Sequence, residues 1–256
     1  NFTKKNKNIF FSKDIKGVDT NSSFIFNSLP TFKKNHNDLW QHFYGVEIET
    51  QNSLFNDSTV NLMDFNCEQR NSVHFFYILP FQKNKALIET TWLSKGNNDS
   101  LKDYDNQIKD YISNRLKIDN YKITYKEEGS IPLFYPLNIK EKNKINIGTA
   151  GGMTRISTGY TFLNIQAQSK YIRKNIDNIK SSRIFKIKAK YKYLDKIFLK
   201  VLENNSQKMP GIFFEMFNTS SDSAIKFLSN KSSIFDDLSI ILKMPKWIFI
   251  KAIFGK

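Results

Sequence analysis

Glu89 stands in the run Leu87-Ile88-Glu89-Thr90-Thr91-Trp92, whose residue types favour a strand. In a strand its side chain shares one face with Leu87 and Thr91. The apolar run just before it carries Phe75, Phe76 and Tyr77. A carboxyl in such surroundings loses water, and desolvation raises its pKa. It then holds its proton near neutral pH and can act as a general acid. The same residue could also be a solvent-facing Glu on the polar side of an amphipathic strand. Glu47, Glu49 and Asp64 carry the same two readings, and Glu127-Glu128-Gly129 reads as a loop.

The second chemical feature is IGTAGGMTRISTGY, Ile147 to Tyr160. Glycines bare the backbone where a ligand must approach or φ must be positive. A helix starting at about Ser157 or Thr158 would aim free N–H groups and a positive dipole end at this turn. Together these favour an anion or a polarised ring oxygen. A plain tight turn with a helix cap is the alternative. No Gly-Lys-Ser/Thr follows, and G-x-G-x-x-G is not matched, so neither phosphate-binding fingerprint is present.

The surrounding pattern predicts what must hold these features. Phe24 to Leu29 reads as a short strand ended by Pro30, and Leu39 to Thr50 as a half-buried strand with Val46 and Ile48 opposite Glu47 and Glu49. Leu62 to Phe65 looks like another strand. Val73 to Leu79 and Ala86 to Leu93 form a hairpin across a Pro80–Lys85 loop. Leu101, Tyr104, Ile108, Tyr111, Ile112 and Leu116 recur at helical spacing, and Tyr121 to Tyr125 gives a further strand. After the glycine turn, Tyr160, Leu163, Ala167 and Tyr171 form one helical face. Helices centred on Leu194 to Leu202, Ile225 to Leu228 and Leu238 to Leu242 follow. The expected class is α+β, an antiparallel sheet succeeded by a Gly-rich turn and helices.

Composition narrows the partners. The 256 residues include 23 Phe and 40% hydrophobic residues, enough for a real core. The net charge of +15 suits an anionic partner, although AT-rich coding, signalled by abundant Asn and Ile, yields the same excess of Lys. Cys67 is the only cysteine, which excludes an internal disulfide and favours an intracellular compartment. His36, His42 and His74 lack metal-ligand spacing. No run approaches the ~18 apolar residues of a membrane span.

Several pieces then come in a telling order: QHFYGVEIE (41–49), LMDF (62–65), FFYILPF (75–81), ALIETTWLS (86–94), EEGSIPL (127–133) and IGTAGGMTRISTGYTF (147–162). Their order and spacing resemble the lycopene cyclase family. FLKVL (198–202), FFEMF (213–217), IKFLS (225–229) and MPK (244–246) look like the same family's tail. The resemblance implies part of an α/β FAD/NAD(P)-binding flavoprotein fold: a substrate-domain sheet over residues 1–140, a flavin-contacting turn and helix over 141–180, and a helical region over 181–256. It also implies that a dinucleotide-binding strand-turn-helix lies upstream of Asn1. The 256 residues by themselves are then expected to be inactive and without flavin.

By the same resemblance, Gly148, Thr149, Ala150, Gly151, Gly152, Ser157, Thr158 and Gly159 lie against FAD, reduced by NAD(P)H. Glu89 matches the family's essential acid, and Asp64 and Glu47 match other acidic positions near the substrate. The implied chemistry is closure of the ψ ends of lycopene, or a related acyclic carotenoid, into β or ε rings without net redox change. The family's second acid beside Glu89 is Thr90 here, its F-D-S-R piece reads Phe26-Asn27-Ser28-Leu29, and its Pro in the glycine turn is Ile156. These departures leave the final base open and leave room for another polyene.

Such a substrate is drawn from a bilayer, so a cytoplasmic protein with peripheral membrane contact is expected. Trp247, Phe249 and Phe254 would enter the interface and Lys243, Lys246 and Lys251 would meet anionic headgroups. A packed terminal helix is the alternative. Two other classes compete: another flavoprotein of the superfamily, such as a hydroxylase or isoprenoid reductase, and a basic nucleic-acid-binding module. No nucleic-acid-binding motif is present, and the aromatics sit in core-like strands.

Overall fold

Successive side chains along each strand point to opposite faces, and the near-continuous apolar runs of the central strands bury both faces of the sheet. The computed structural model describes residues 24–33, 35, 37–95, 103–137, 141, 143–179 and 185–254. Its main sheet is five-stranded, ordered β3-β4-β5-β2-β6. The strands are β2 (Leu39–Glu49), β3 (Asn61–Asp64), β4 (Val73–Gln82), β5 (Lys85–Lys95) and β6 (Lys122–Pro132), and every neighbouring pair is antiparallel. A separate parallel pair joins β1 (Ile25–Asn27) to β7 (Lys144–Asn146). With helices following, the arrangement is α+β.

The hairpin is tighter than its sequence suggests. Pro80 lies inside β4, opposite Ala86, and the turn shrinks to Lys83 and Asn84. A register shift between Pro80 and Gln82 absorbs the missing proline N–H. Glu127-Glu128-Gly129 is not a loop either: all three residues pair with β2 inside β6.

One sheet face carries Val46, Ile48, Phe76, Ile78 and Ile88. It is covered by α1 (Tyr104–Asp110), which runs into a π-helical turn over Tyr111–Arg115. Ile108, Tyr111 and Ile112 fill that layer, as their helical spacing predicts, and Leu101 lies outside the described residues. A polar network is buried beneath it. His42 bonds the Tyr104 hydroxyl and Ser94 Oγ, both at 2.6 Å. His74 bonds Thr90 Oγ1 at 2.7 Å and stacks on Trp92 at 3.8 Å.

Burial lowers the pKa of both histidines from 6.5 to about 4. The unfolded chain therefore binds more protons than the folded one between pH 6.5 and 4. Stability is full above pH 6.5 and falls as pH drops through 6.5 toward 4, by roughly 3 kcal/mol per histidine. Chemical unfolding at pH 7 and pH 4.5 checks this, and His74→Gln should flatten the slope. Equal stability at the two pH values would show the histidines are not held neutral.

The opposite face carries Leu39, Val73, Phe75 and Leu93, covered by α3 (Ala189–Asn204), α4 (Met209–Phe217) and α6 (Ile234–Lys243) through Phe198, Val201, Phe213 and Ile240. Between them in sequence come α2 (Phe162–Lys174) and α5 (Ser221–Leu228), and α7 (Lys246–Phe254) closes the order. Ser220 and Ser233 cap α5 and α6, and Ser233 forms a reciprocal capping box with Asp236.

Candidate functional site

Glu89 lies on the sheet face covered by α3, α4 and α6, the face of Leu93 and Phe75, flanked in its row by Tyr77 of β4 and Gly45 of β2. Leu87 and Thr91 precede and follow it on the same face. The side chain is partly buried. Burial raises its pKa to about 7. The Thr91 hydroxyl, which donates to Oε1 at 2.7 Å, opposes the rise, and the charge of Glu127 adds to it. Tyr77 is pushed above its ordinary range by burial and by Glu89. A carboxyl poised this way can hold a proton and release it near neutral pH.

The other predicted acids do not join it. Glu47 faces the same way but accepts from Lys85 Nζ at 2.8 Å and from Thr124, which hold it below the ordinary range. Asp64 pairs with Phe76, on the opposite face, and accepts the Tyr111 hydroxyl at 2.6 Å. Thr90, where the resembling family often has a second acid, also points to that opposite face and hydrogen-bonds His74 and Gln107. The carboxylate whose charge acts on Glu89 is Glu127, across Gly45 in the same row. Gly45, an isolated glycine inside a strand, was the one local sign of close approach there.

The glycine turn leaves β7 and packs against the same sheet face: a Cβ at Gly159 would collide with the side-chain amide of Gln41. From Gln41 to Gly45 along β2 is about 13 Å. Gly148, Gly152 and Gly159 have φ of 58°, 71° and 68°, which only glycine adopts freely. Gly151 has a different task. A Cβ there would lie 2.7 Å from the Asn146 carbonyl oxygen and 2.8 Å from Gln168 Nε2, so it lets the turn seat under α2.

The helix does not start at Ser157 or Thr158. Arg155 and Tyr160 close a turn instead, with the Arg155 N–H donating to the Tyr160 carbonyl and the Gly159 N–H to that of Arg155. The positive φ of Gly159 ends any helix there, and α2 begins at Phe162. Its buried face is not the Leu163/Ala167 stripe but Asn164 and Gln168. Asn164 Nδ2 donates to the Met153 carbonyl at 3.0 Å, and Gln168 Oε1 accepts from the Gly148 N–H at 2.8 Å. Two amides one helical turn apart thus satisfy turn backbone that has no ladder partner.

Sequence reasoning passed over Arg155, Asp195 and Tyr135. Arg155 is fully buried and grips Asp195 of α3 with Nε and Nη2, the latter at 2.6 Å. Ser157 Oγ donates to the same carboxylate at 2.8 Å, so its hydroxyl faces inward. Arg155 also lies against the rings of Tyr191 and Phe227, at 4.9 and 4.5 Å. Tyr135 abuts Gly152, and its buried hydroxyl finds no hydrogen-bond partner among the described residues.

An apolar groove of about 570 Å³, lined by Leu62, Met63, Phe65, Phe213, Phe214 and Phe217, opens beside β3 and α4. Rings lead from it toward the acid: Phe65 to Phe75 at 5.6 Å, then Phe75 to Tyr77 at 5.2 Å. Farther along the chain, α6 and α7 leave Phe235, Trp247 and Phe254 84%, 78% and 81% exposed. Phe249, expected outside, instead packs on Phe198 and the core. No helix among the described residues is long and apolar enough to cross a membrane.

Residues 7–252 match the family model described as lycopene cyclase protein. Among solved structures, the chain is similar to a geranylgeranyl bacteriochlorophyll reductase-like protein from Thermoplasma acidophilum, at 14% identity and a TM-score of 0.40, covering 88% of this chain and 53% of that one. It is also similar to a triple mutant of the flavin-dependent brominase Bmp2, at 12% identity and a TM-score of 0.45, covering 78% and 53%. This chain spans about half the length of both. None of the curated proteins matches it.

Proposed function

Because the chain belongs to the lycopene cyclase family, we propose that the protein closes the ψ ends of lycopene, or of a related acyclic carotenoid, into β rings. The observation that carries this reading is Glu89, a carboxyl raised to about 7 on a sheet face that also meets the glycine turn. Its proton goes to the terminal double bond. The inner double bond then attacks the cation, and loss of a ring proton completes an isomerisation. Tyr77 and Leu87 exclude water from the acid, and Thr91 orients it. The apolar groove and its aromatic lead suit the long hydrocarbon remainder of such a substrate.

FAD fits the turn. The positive-φ glycines and the Tyr135 hydroxyl, unpartnered among the described residues, together offer a close approach and a hydrogen-bond donor to a polar ring edge, and Thr149 and Ala150 would line the same turn. When bound in reduced form, with NAD(P)H as reductant, the flavin supplies negative charge that favours a nearby cation. Ser157, Thr158 and Gly159 would help hold the group through this turn, which Gly159 seats against Gln41 of the sheet.

Peripheral membrane contact belongs to the same reading. Exposed Trp247 and Phe254 lie among Lys243, Lys246 and Lys251, a combination suited to an anionic lipid surface. Trp247→Ser with Phe254→Ser should cut flotation with anionic vesicles about tenfold and leave folding intact. Unchanged flotation would remove these residues from the contact.

The direct test expresses the complete coding sequence in lycopene-accumulating cells and reads the pigment. Ring-bearing carotenoid is expected; unchanged lycopene argues against the reading.

A further inference from the structure

The register of the sheet brings a second carboxylate to Glu89. Glu89 of β5, Gly45 of β2 and Glu127 of β6 lie in one cross-strand row, on one face. Two strand spacings separate the outer backbones, about 10 Å. Gly45 has no side chain to fill the gap, and Glu127 folds into it beside the Leu87 side chain. A Cβ built on Gly45 would lie 3.2 Å from Glu127 Cγ and 3.5 Å from its Oε1. The Glu127 carboxylate therefore lies over β2, between its own strand and the acid.

Its neighbours leave it available. Glu47, two residues along β2 from Gly45, is held by Lys85 and Thr124, whereas Glu127 forms no ion pair among the described residues. Gly129, next on the same face of β6, also lacks a side chain, and the Phe43 ring lies over it: a Cβ there would come within 2.7 Å of Phe43 Cζ. The floor beside the two carboxyls is thus glycine backbone, the Leu87 side chain and a ring, a surface for an apolar end group.

The geometry points to Glu127 as the base that takes up the ring proton at the end of cyclisation. This rests on Glu89 being the donor. As the Glu89 O–H bond breaks, the π pair of the terminal double bond forms a C–H bond at its inner carbon and leaves a tertiary cation at the outer, dimethyl-bearing carbon. The π pair of the inner double bond becomes the new ring C–C bond. A ring C–H bond then breaks, its electron pair becomes the ring double bond, and its proton goes to Glu127. One proton enters the substrate and one leaves, with no electrons exchanged. Glu127 then gives its proton to solvent and Glu89 takes one up from solvent, which resets the pair, so the two acids divide donor and acceptor roles by environment.

The test is the pH–rate profile of the complete, flavin-loaded protein and its Glu127→Gln and Glu127→Asp variants. The charged or titratable groups facing the pair are Tyr77 from β4, Glu47 from β2 with Lys85 from β5, and Tyr125 from β6. Glu127→Gln should lower kcat about 10²–10⁴-fold and abolish the acid limb of the profile. Its alkaline limb should move to lower pH, because the Glu127 charge, which adds to the rise that burial gives Glu89, is gone. Glu127→Asp should restore the acid limb and part of the rate. Glu127→Gln with a rate within about threefold of wild type and both limbs in place would overturn the inference while leaving the cyclase reading intact. If Glu127→Gln loses flavin or its circular dichroism, Glu127→Ala takes its place, and a rate within about threefold of wild type with both limbs in place would overturn the assignment. No ring formation by the wild type brings down the cyclase reading and this inference together.

Discussion

Glu89→Gln abolishes ring formation, lowering the rate by about 10²–10⁴-fold or more, while flavin content and unfolding midpoint stay at wild-type values. The amide is nearly isosteric and keeps a partner in the Thr91 hydroxyl, so the loss isolates the proton. The same logic fixes the pH dependence. A donor raised to about 7 is protonated below that pH and empties above it, so activity should decline as pH rises through 7. Glu47→Gln and Asp64→Asn serve as contrasts. The first is held by Lys85 and the second faces the opposite layer, and neither should lower cyclisation by more than a few fold. Pigment analysis in lycopene-accumulating cells, followed by purified rates across pH, checks all three. Normal ring formation by Glu89→Gln would remove the proton donor from the account.

Asp195→Ala produces the largest loss of stability. Arg155 and Asp195 are 0% and 1% exposed, and they are joined by paired hydrogen bonds. Removing one partner leaves a buried charge unpaired, which costs about 3–5 kcal/mol. For a chain of this size that lowers Tm by roughly 10 °C. Ser157 loses its acceptor as well, so the glycine turn loosens and flavin retention falls with stability. Replacing the pair together, Arg155→Met with Asp195→Leu, should recover much of the loss, because apolar residues of similar volume need no partner. Thermal unfolding of the single and double variants measures this. A Tm for Asp195→Ala within about 2 °C of wild type would mean that the pair does not hold the turn.

The parts legible in the sequence are those that depend on local period. Alternation around Val46 and Ile48, the aromatic run before Glu89 and the helical spacing of Ile108 and Ile112 all follow from side-chain direction within one element. Glu89 could be put on a face with Leu87 and Thr91 for the same reason. What stayed hidden depends on which strands become neighbours. Glu127 shares a row with Glu89 only because β2 lies between β5 and β6 with Gly45 between them, and no period encodes strand order. Asp64 was grouped with the site by its position in a motif, yet its register with Phe76 turns it to the other face.

The glycine turn illustrates the same limit. Its small residues announced close approach, but its anchoring is long-range. Arg155 finds Asp195 forty residues on, and Asn164 and Gln168 are buried because the turn backbone needs them. A helix read by apolar period alone would have them exposed.

The measurement that bears most directly on acid-initiated, non-redox cyclisation is turnover of lycopene by the complete, flavin-loaded protein in deuterated buffer. The account predicts a cyclic product isomeric with lycopene that has gained one deuterium per ring closed, with no oxygen incorporated and no NAD(P)H consumed in proportion to product. A product that has gained oxygen or a pair of hydrogens, with matching NAD(P)H consumption, would contradict it and point to a hydroxylase or reductase on the same fold.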